Sequence, residues 1–117
     1  MGQGDADEDS MQLYRAVSQG ELHDITLFDG FRPGPGCMET KLFATSAVDA
    51  AFFAREILYP LDNKPLTIVE VTIPYALGNR LFRFTTDGKP VVAVDLGQLH
   101  EVNALSRSQV MQTSPIP

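Results

Sequence analysis

Apolar and polar side chains alternate over residues 12–17, QLYRAV, with Leu13, Arg15 and Val17 on one side and Tyr14 and Ala16 on the other. A period of two predicts a strand. Ser18, followed three residues later by Glu21, has the form of a capping box and predicts a short helix through about residue 26. GFRPGPG at 30–36 holds two prolines and three glycines, which excludes a regular element. KLFAT at 41–45 predicts a short strand. Ser46 and Asp49 frame a second cap, and the helix is expected over 47–58. Val48, Ala51, Phe52 and Arg55 share one face of it, and Ala50, Phe53, Ala54 and Ile57 the adjoining one. So broad an apolar stripe implies a well-buried helix. Pro60 and Asn63 are read as its exit.

LTIVEVTI at 66–73 is the strongest strand pattern in the chain. Val69, Val71 and Ile73 face one way, and Ile68, Glu70 and Thr72 the other. One helical turn is expected at 75–80. Strands follow at 81–85 and 90–94, joined across a turn with Asp87-Gly88 at its centre. Residues 95–98 are read as another turn, and 100–105 and 109–112 as short strands. The order is strand, helix, strand, helix, then several strands. That predicts an α+β fold with a mostly antiparallel sheet.

Composition narrows the class. The 117 residues suit one domain. Residues 1–10, MGQGDADEDS, cannot bury enough surface to offset their ordering entropy, so they are expected to form a disordered acidic tail or linker remnant. Residues 11–117 form the expected single domain. Fifteen acidic against nine basic side chains give a net charge of −6, which argues against nonspecific binding to nucleic acid or an anionic membrane. A lone cysteine, Cys37, excludes an internal disulfide framework and any metal site built on several cysteines. No apolar run is long enough to span a membrane, and the acidic N-terminus is not a signal peptide.

Common motifs for nucleotide, metal or thiol chemistry are absent: there is no GxGxxG, P-loop, HExxH or CxxC. His23 and His100 lie far apart, and His23 is expected to be solvated. Three features remain. Arg15, in the first strand, is either an edge arginine whose head reaches water or a fixed guanidinium that grips a phosphate. Thr45 and Ser46, at a strand-to-helix junction, are either caps or the rim of a polar ligand site. Glu101, in LHEVNAL, and Glu70, in the strongest strand, are equal candidates on spacing for a working carboxylate.

Taken together, LYRAVSQGELHDI, KLFATSAVDAAFFA, LTIVEVTIP and LHEVNALSRSQV resemble, in order and spacing, the ADP-ribosyltransferase family, in particular the toxin domains of bacterial polymorphic toxins of the Rhs and contact-dependent type. The resemblance covers about residues 13–112, including Gln109-Val110 after Glu101. It implies a small split antiparallel β-sandwich with short helices, and NAD as the substrate. It implies that Arg15 binds the nicotinamide ribose and phosphates and that Thr45 and Ser46 shape the nicotinamide pocket. It implies that Glu101 is the catalytic carboxylate, holding the ribose 2′-hydroxyl and the cation formed as nicotinamide leaves. One of Phe52, Phe53 or Phe43 is a candidate to stack on the nicotinamide, Phe52 and Phe53 being read also as core on the helix's apolar stripe, and Arg32 is either a phosphate contact or a plain loop arginine. The implied partners are a macromolecular acceptor, protein or RNA, and a cognate immunity protein, with no membrane and no metal. The implied setting is delivery by a bacterial secretion system into a target cell's cytoplasm.

The chain departs from the family pattern at two places. Leu99 stands where arginine-modifying members carry a second Glu or Gln, and the middle motif is FATS rather than a fuller serine-threonine-serine form. NAD hydrolysis and an inactive binding module of the same fold are the alternatives.

Overall fold

The computed structural model describes residues 10–28, 30–31, 40–62 and 65–110, with backbone only for 62, 96 and 107–110. Residues 1–9 of the expected tail at 1–10, the bulk of the glycine-proline loop with Arg32 and Cys37, and the last seven residues lie outside the described residues, whereas Ser10 belongs to a strand and not to the tail.

Among the described residues six strands form one sheet: β1 (Ser10–Ser18), β2 (Lys41–Ala44), β3 (Leu66–Pro74), β4 (Phe82–Thr86), β5 (Lys89–Val94) and β6 (Arg107–Val110). Their order across the sheet is β4-β5-β2-β1-β3-β6. Every pairing is antiparallel, so the expected α+β class with an antiparallel sheet holds. The β4–β5 hairpin turns through Asp87 (φ 53°) and Gly88 (φ 75°). Two successive left-handed residues are what an Asp-Gly hairpin turn demands.

The pairing is uneven. β1 and β3 are in register over nine positions, from Ser10 opposite Pro74 to Ser18 opposite Leu66. β1 and β2 share one, Tyr14 opposite Ala44. The sheet is therefore two three-stranded halves joined at a narrow seam.

Strand alternation sends side chains to two cores. On one face Leu13, Val17, Phe43, Val69, Val71, Ile73, Val92 and Val94 are buried. They are covered by Ile25 of α1 (Gln19–Phe28), Leu77 of α4 (Tyr75–Gly78), and Leu99 and Val102 of α5 (Leu96–Leu105). On the other face a long helical segment covers Ala44, Leu66 and Ile68 with Ala50 and Ala54. That segment begins as α2 (Ala47–Phe53), widens to a π-helix over Ala54–Leu58, and ends as α3 (Tyr59–Asp62). Tyr59 N–H reaches the Ala54 carbonyl, five residues back. The helix thus continues past its expected end at 58 and past Pro60, as far as Asp62. Pro60 lies inside this continuous segment, two residues after the π-helical stretch, and does not end it.

The largest correction is at residues 95–105. The expected turn and strand are one helix, α5, so Glu101 is helical rather than at the start of a strand. Asp95 accepts from Gln98 N–H at 2.9 Å, and Gln98 Oε1 accepts from Asp95 N–H at 3.5 Å, which completes a capping box. Leu99 and Val102, three apart, then bury one face. The strand reading failed because a two-residue period and a helical i, i+3 spacing are hard to separate over six residues.

Asn103 ties α5 to the end of α1. Its amide donates to the Phe31 carbonyl at 2.6 Å and its oxygen accepts from Phe31 N–H at 2.8 Å. A Cβ on Gly30 would come within 2.9 Å of the Asn103 side chain, so a glycine is needed there. Asn103→Ala strands both backbone groups of a buried residue. It is expected to lower unfolding stability by about 2 kcal/mol, read as a lower urea midpoint with an unchanged slope.

Candidate functional site

A cavity of about 360 Å³ opens where β1 and β2 part. Tyr14, Arg15 and Ala16 line it from β1, and Leu42, Phe43 and Ala44 from β2. Consecutive strand residues point to opposite faces. Both faces reach one cavity because the ladder stops after the Tyr14–Ala44 pair. Phe53, Ile57 and Leu58 close it from the helical side, so the π-helical stretch contributes two of its walls. Thr86 and Asp87 of the hairpin turn stand at its rim.

Arg15 is held from three directions. Its Nε donates to Glu21 Oε2 at 2.7 Å and its Nη2 to Glu21 Oε1 at 3.2 Å. Its Nη1 donates to the Leu42 carbonyl at 2.9 Å, across the seam. The guanidinium carbon lies 5.9 Å from the centre of the Phe43 ring. The guanidinium is held by protein groups, and its side chain is 21% exposed, so it does not run out freely into water. Lys41 Nζ lies 3.7 Å from the same Glu21 oxygen.

Glu21 is therefore not the second half of a capping box. Ser18 Oγ accepts from Glu21 N–H at 3.1 Å as expected, but the Glu21 carboxylate goes to Arg15. A charge-assisted, two-pronged contact to a guanidinium outweighs one more backbone bond at an open helix end.

On the other face, the Tyr14 phenol donates to Glu70 Oε2 at 3.0 Å. The two residues are directly opposite in the β1–β3 ladder, and Gln109 lies opposite Glu70 on β6. Burial first, then the hydrogen bond to Glu70 and its negative charge, push the Tyr14 pKa above the ordinary value.

The remaining expected site residues lie elsewhere. Glu101 is not in the cavity lining. It takes Arg80 Nη2 at 2.5 Å, with its side chain 40% exposed, and the arginine holds its carboxyl below the ordinary range. Ser46 Oγ accepts from Asp49 N–H at 3.1 Å, so it caps α2, and neither it nor Thr45 lines the cavity. Phe52 also lies outside it, with its ring 4.9 Å from Lys89 Nζ and edge-on to Phe53 at 5.6 Å. Phe43 and Phe53 are the aromatic walls instead. Arg32 lies outside the described residues.

Tyr14, Glu21 and Lys41 were not legible as site residues. Glu21 had a sufficient capping explanation, and Lys41 meets it only once the strands are in place. Among the described residues, no group of three or more His, Cys, Asp or Glu could hold a metal, and no helix is long and apolar enough to cross a membrane. No protein-family model, curated protein or solved structure matches the chain.

The raised Tyr14 pKa gives a direct check. Tyr14 is expected to ionise above the roughly pH 10 of free tyrosine in an ultraviolet titration, with the difference from Tyr14→Phe assigning the transition. Its contribution to stability is present below that ordinary pKa and is lost as pH rises through the folded value. Glu70→Gln is expected to lower the transition without restoring the free value, because burial remains.

Proposed function

We propose that this domain is an NAD-dependent ADP-ribosyltransferase. The observation that carries the reading is the cavity at the seam, with a fixed guanidinium on one wall and aromatic rings on two others. Its volume falls in the range of small-molecule sites, roughly 300–1,000 Å³. Arg15 suits a phosphoryl group, and Phe43 or Phe53 suits a flat ring. The narrow junction between two three-stranded halves is what supports the finer fold reading, an ADP-ribosyltransferase-like split antiparallel β-sandwich, while the described strands form one sheet.

In this reaction the bond from ribose C1′ to the nicotinamide nitrogen breaks, and its electron pair leaves with the nicotinamide. Positive charge grows on the ribose. An acceptor atom then supplies the new pair to C1′ and gives up a proton. A fixed carboxylate beside the ribose lowers the barrier most. The resemblance gives that role to Glu101, which the fold pairs with Arg80 outside the cavity. The geometry favours Glu70, which is likewise not part of the lining but stands one hydrogen bond from the cavity wall through Tyr14. The proposal extends to an interbacterial toxin domain, delivered into a target cell's cytoplasm and neutralised by an immunity protein. That extension rests on the resemblance.

Labelled NAD, incubated with the domain and a bacterial lysate, tests the reading. Nicotinamide release with label moving onto protein or RNA is expected. Arg15→Lys and Glu70→Gln are each expected to lower turnover about 100-fold or more, while Glu101→Gln keeps it within about threefold of wild type, as for an exposed ion pair. Release without transfer would make the domain an NAD hydrolase. Neither binding nor turnover of NAD by the wild type would overturn the reading.

A further inference from the structure

Two cations share one carboxylate at the seam. Arg15, Lys41 and Glu21 have side chains only 21%, 13% and 23% exposed. The cluster carries one positive charge in excess, while the whole chain carries −6. Local positive charge in a sheltered, weakly screened place on an acidic protein is where an anion is drawn.

Glu21 already occupies that place in the way an anion would. Its two oxygens take Nε and Nη2 of Arg15, the same fork that phosphoryl oxygens use. Lys41 adds a point charge on Oε2. Arg15 belongs to the cavity lining, whereas Glu21 and Lys41 both stand outside it. The carboxylate therefore reaches the guanidinium from outside the cavity.

From this we infer that Arg15 and Lys41 form a phosphoryl-binding site, and that Glu21 is a built-in competitor for it. A ligand phosphate that reaches past the cavity's edge to the side where Lys41 stands takes over the Arg15 fork and Lys41, and Glu21 is released. Glu21 has somewhere to go: three residues after Ser18, it stands where a capping-box carboxylate turns back to its own helix start. The exchange keeps the cations neutralised when the cavity is empty and lowers affinity for phosphates too small to gain contacts elsewhere in it. The inference deepens the reading of the cavity as an NAD site by adding Lys41 and by giving Glu21 a role. The cation pair itself needs only a phosphoryl ligand.

Calorimetric titration with two probes, inorganic pyrophosphate and ADP-ribose, tests it. Glu21→Gln removes the competitor but keeps the side-chain size. It is expected to tighten both probes about tenfold and to steepen the salt dependence of binding. Lys41→Met is expected to weaken both about tenfold, in the wild-type and in the Glu21→Gln background. Thermal midpoints measured alongside exclude misfolding, and Lys41→Met leaves the helix start untouched if Glu21→Gln does not fold. Weaker binding by Glu21→Gln would make Glu21 a positioning residue and overturn the competition. No effect of Lys41→Met would remove Lys41 from the site. No binding of either probe by any variant would overturn the anion site itself. Tightening of pyrophosphate in Glu21→Gln without any NAD turnover in the wild type would uphold the anion site and sink the transferase reading alone.

Discussion

An arginine in a middle strand must be neutralised where it stands. β1 has β3 on one side and β2 on the other, and the Arg15 side chain is 21% exposed, so water covers only part of it. A partly buried guanidinium without partners would carry a desolvation penalty. The fold meets this in two ways. Glu21, in the first turn of the following helix, supplies the countercharge. The parting of β2 from β1 then leaves the Leu42 carbonyl free to accept from Arg15 instead of from a neighbouring strand. The seam and the cavity follow from that arrangement. Side chains from both faces of β1 and β2 line one space only because the ladder stops there.

Two unequal cores result. The face with α1, α4 and α5 is filled by branched aliphatics and by Phe31 packed edge-on to Phe43, 5.4 Å apart. The face with the π-helical segment is built on alanines, with Tyr14, Phe53 and Tyr59 only partly buried against it. Small residues let the helix lie close to the sheet at Ala44. The widened π-turn then carries Ile57 and Leu58 to the cavity. π-Turns recur at functional sites because they re-aim side chains at a cost in hydrogen-bond geometry.

The sequence exposes the fold where period and punctuation agree. The strand at 66–73, the Asp-Gly hairpin and the Ser46 cap all combine a local pattern with a residue that fixes the turn or end. It misleads where a short window fits two periods, as at 100–105, where the Asp95 and Gln98 capping pair was the signal to weigh. The site was half legible. Arg15 stood out because a charge among apolar positions of a strand needs a reason. Glu21 did not, because a cap explained it locally while its partner was set by tertiary structure. Glu101 shows the reverse. Its place in a motif suggested chemistry, whereas its surroundings offer an exposed ion pair with Arg80.

We propose that the ligand enters at the seam. The most direct measurement is an amide chemical-shift map of the domain titrated with NAD. The largest shifts are expected at Tyr14, Arg15, Leu42, Phe43, Phe53 and Asp87. Shifts centred on Arg80 and Glu101, with the seam unmoved, would contradict the account.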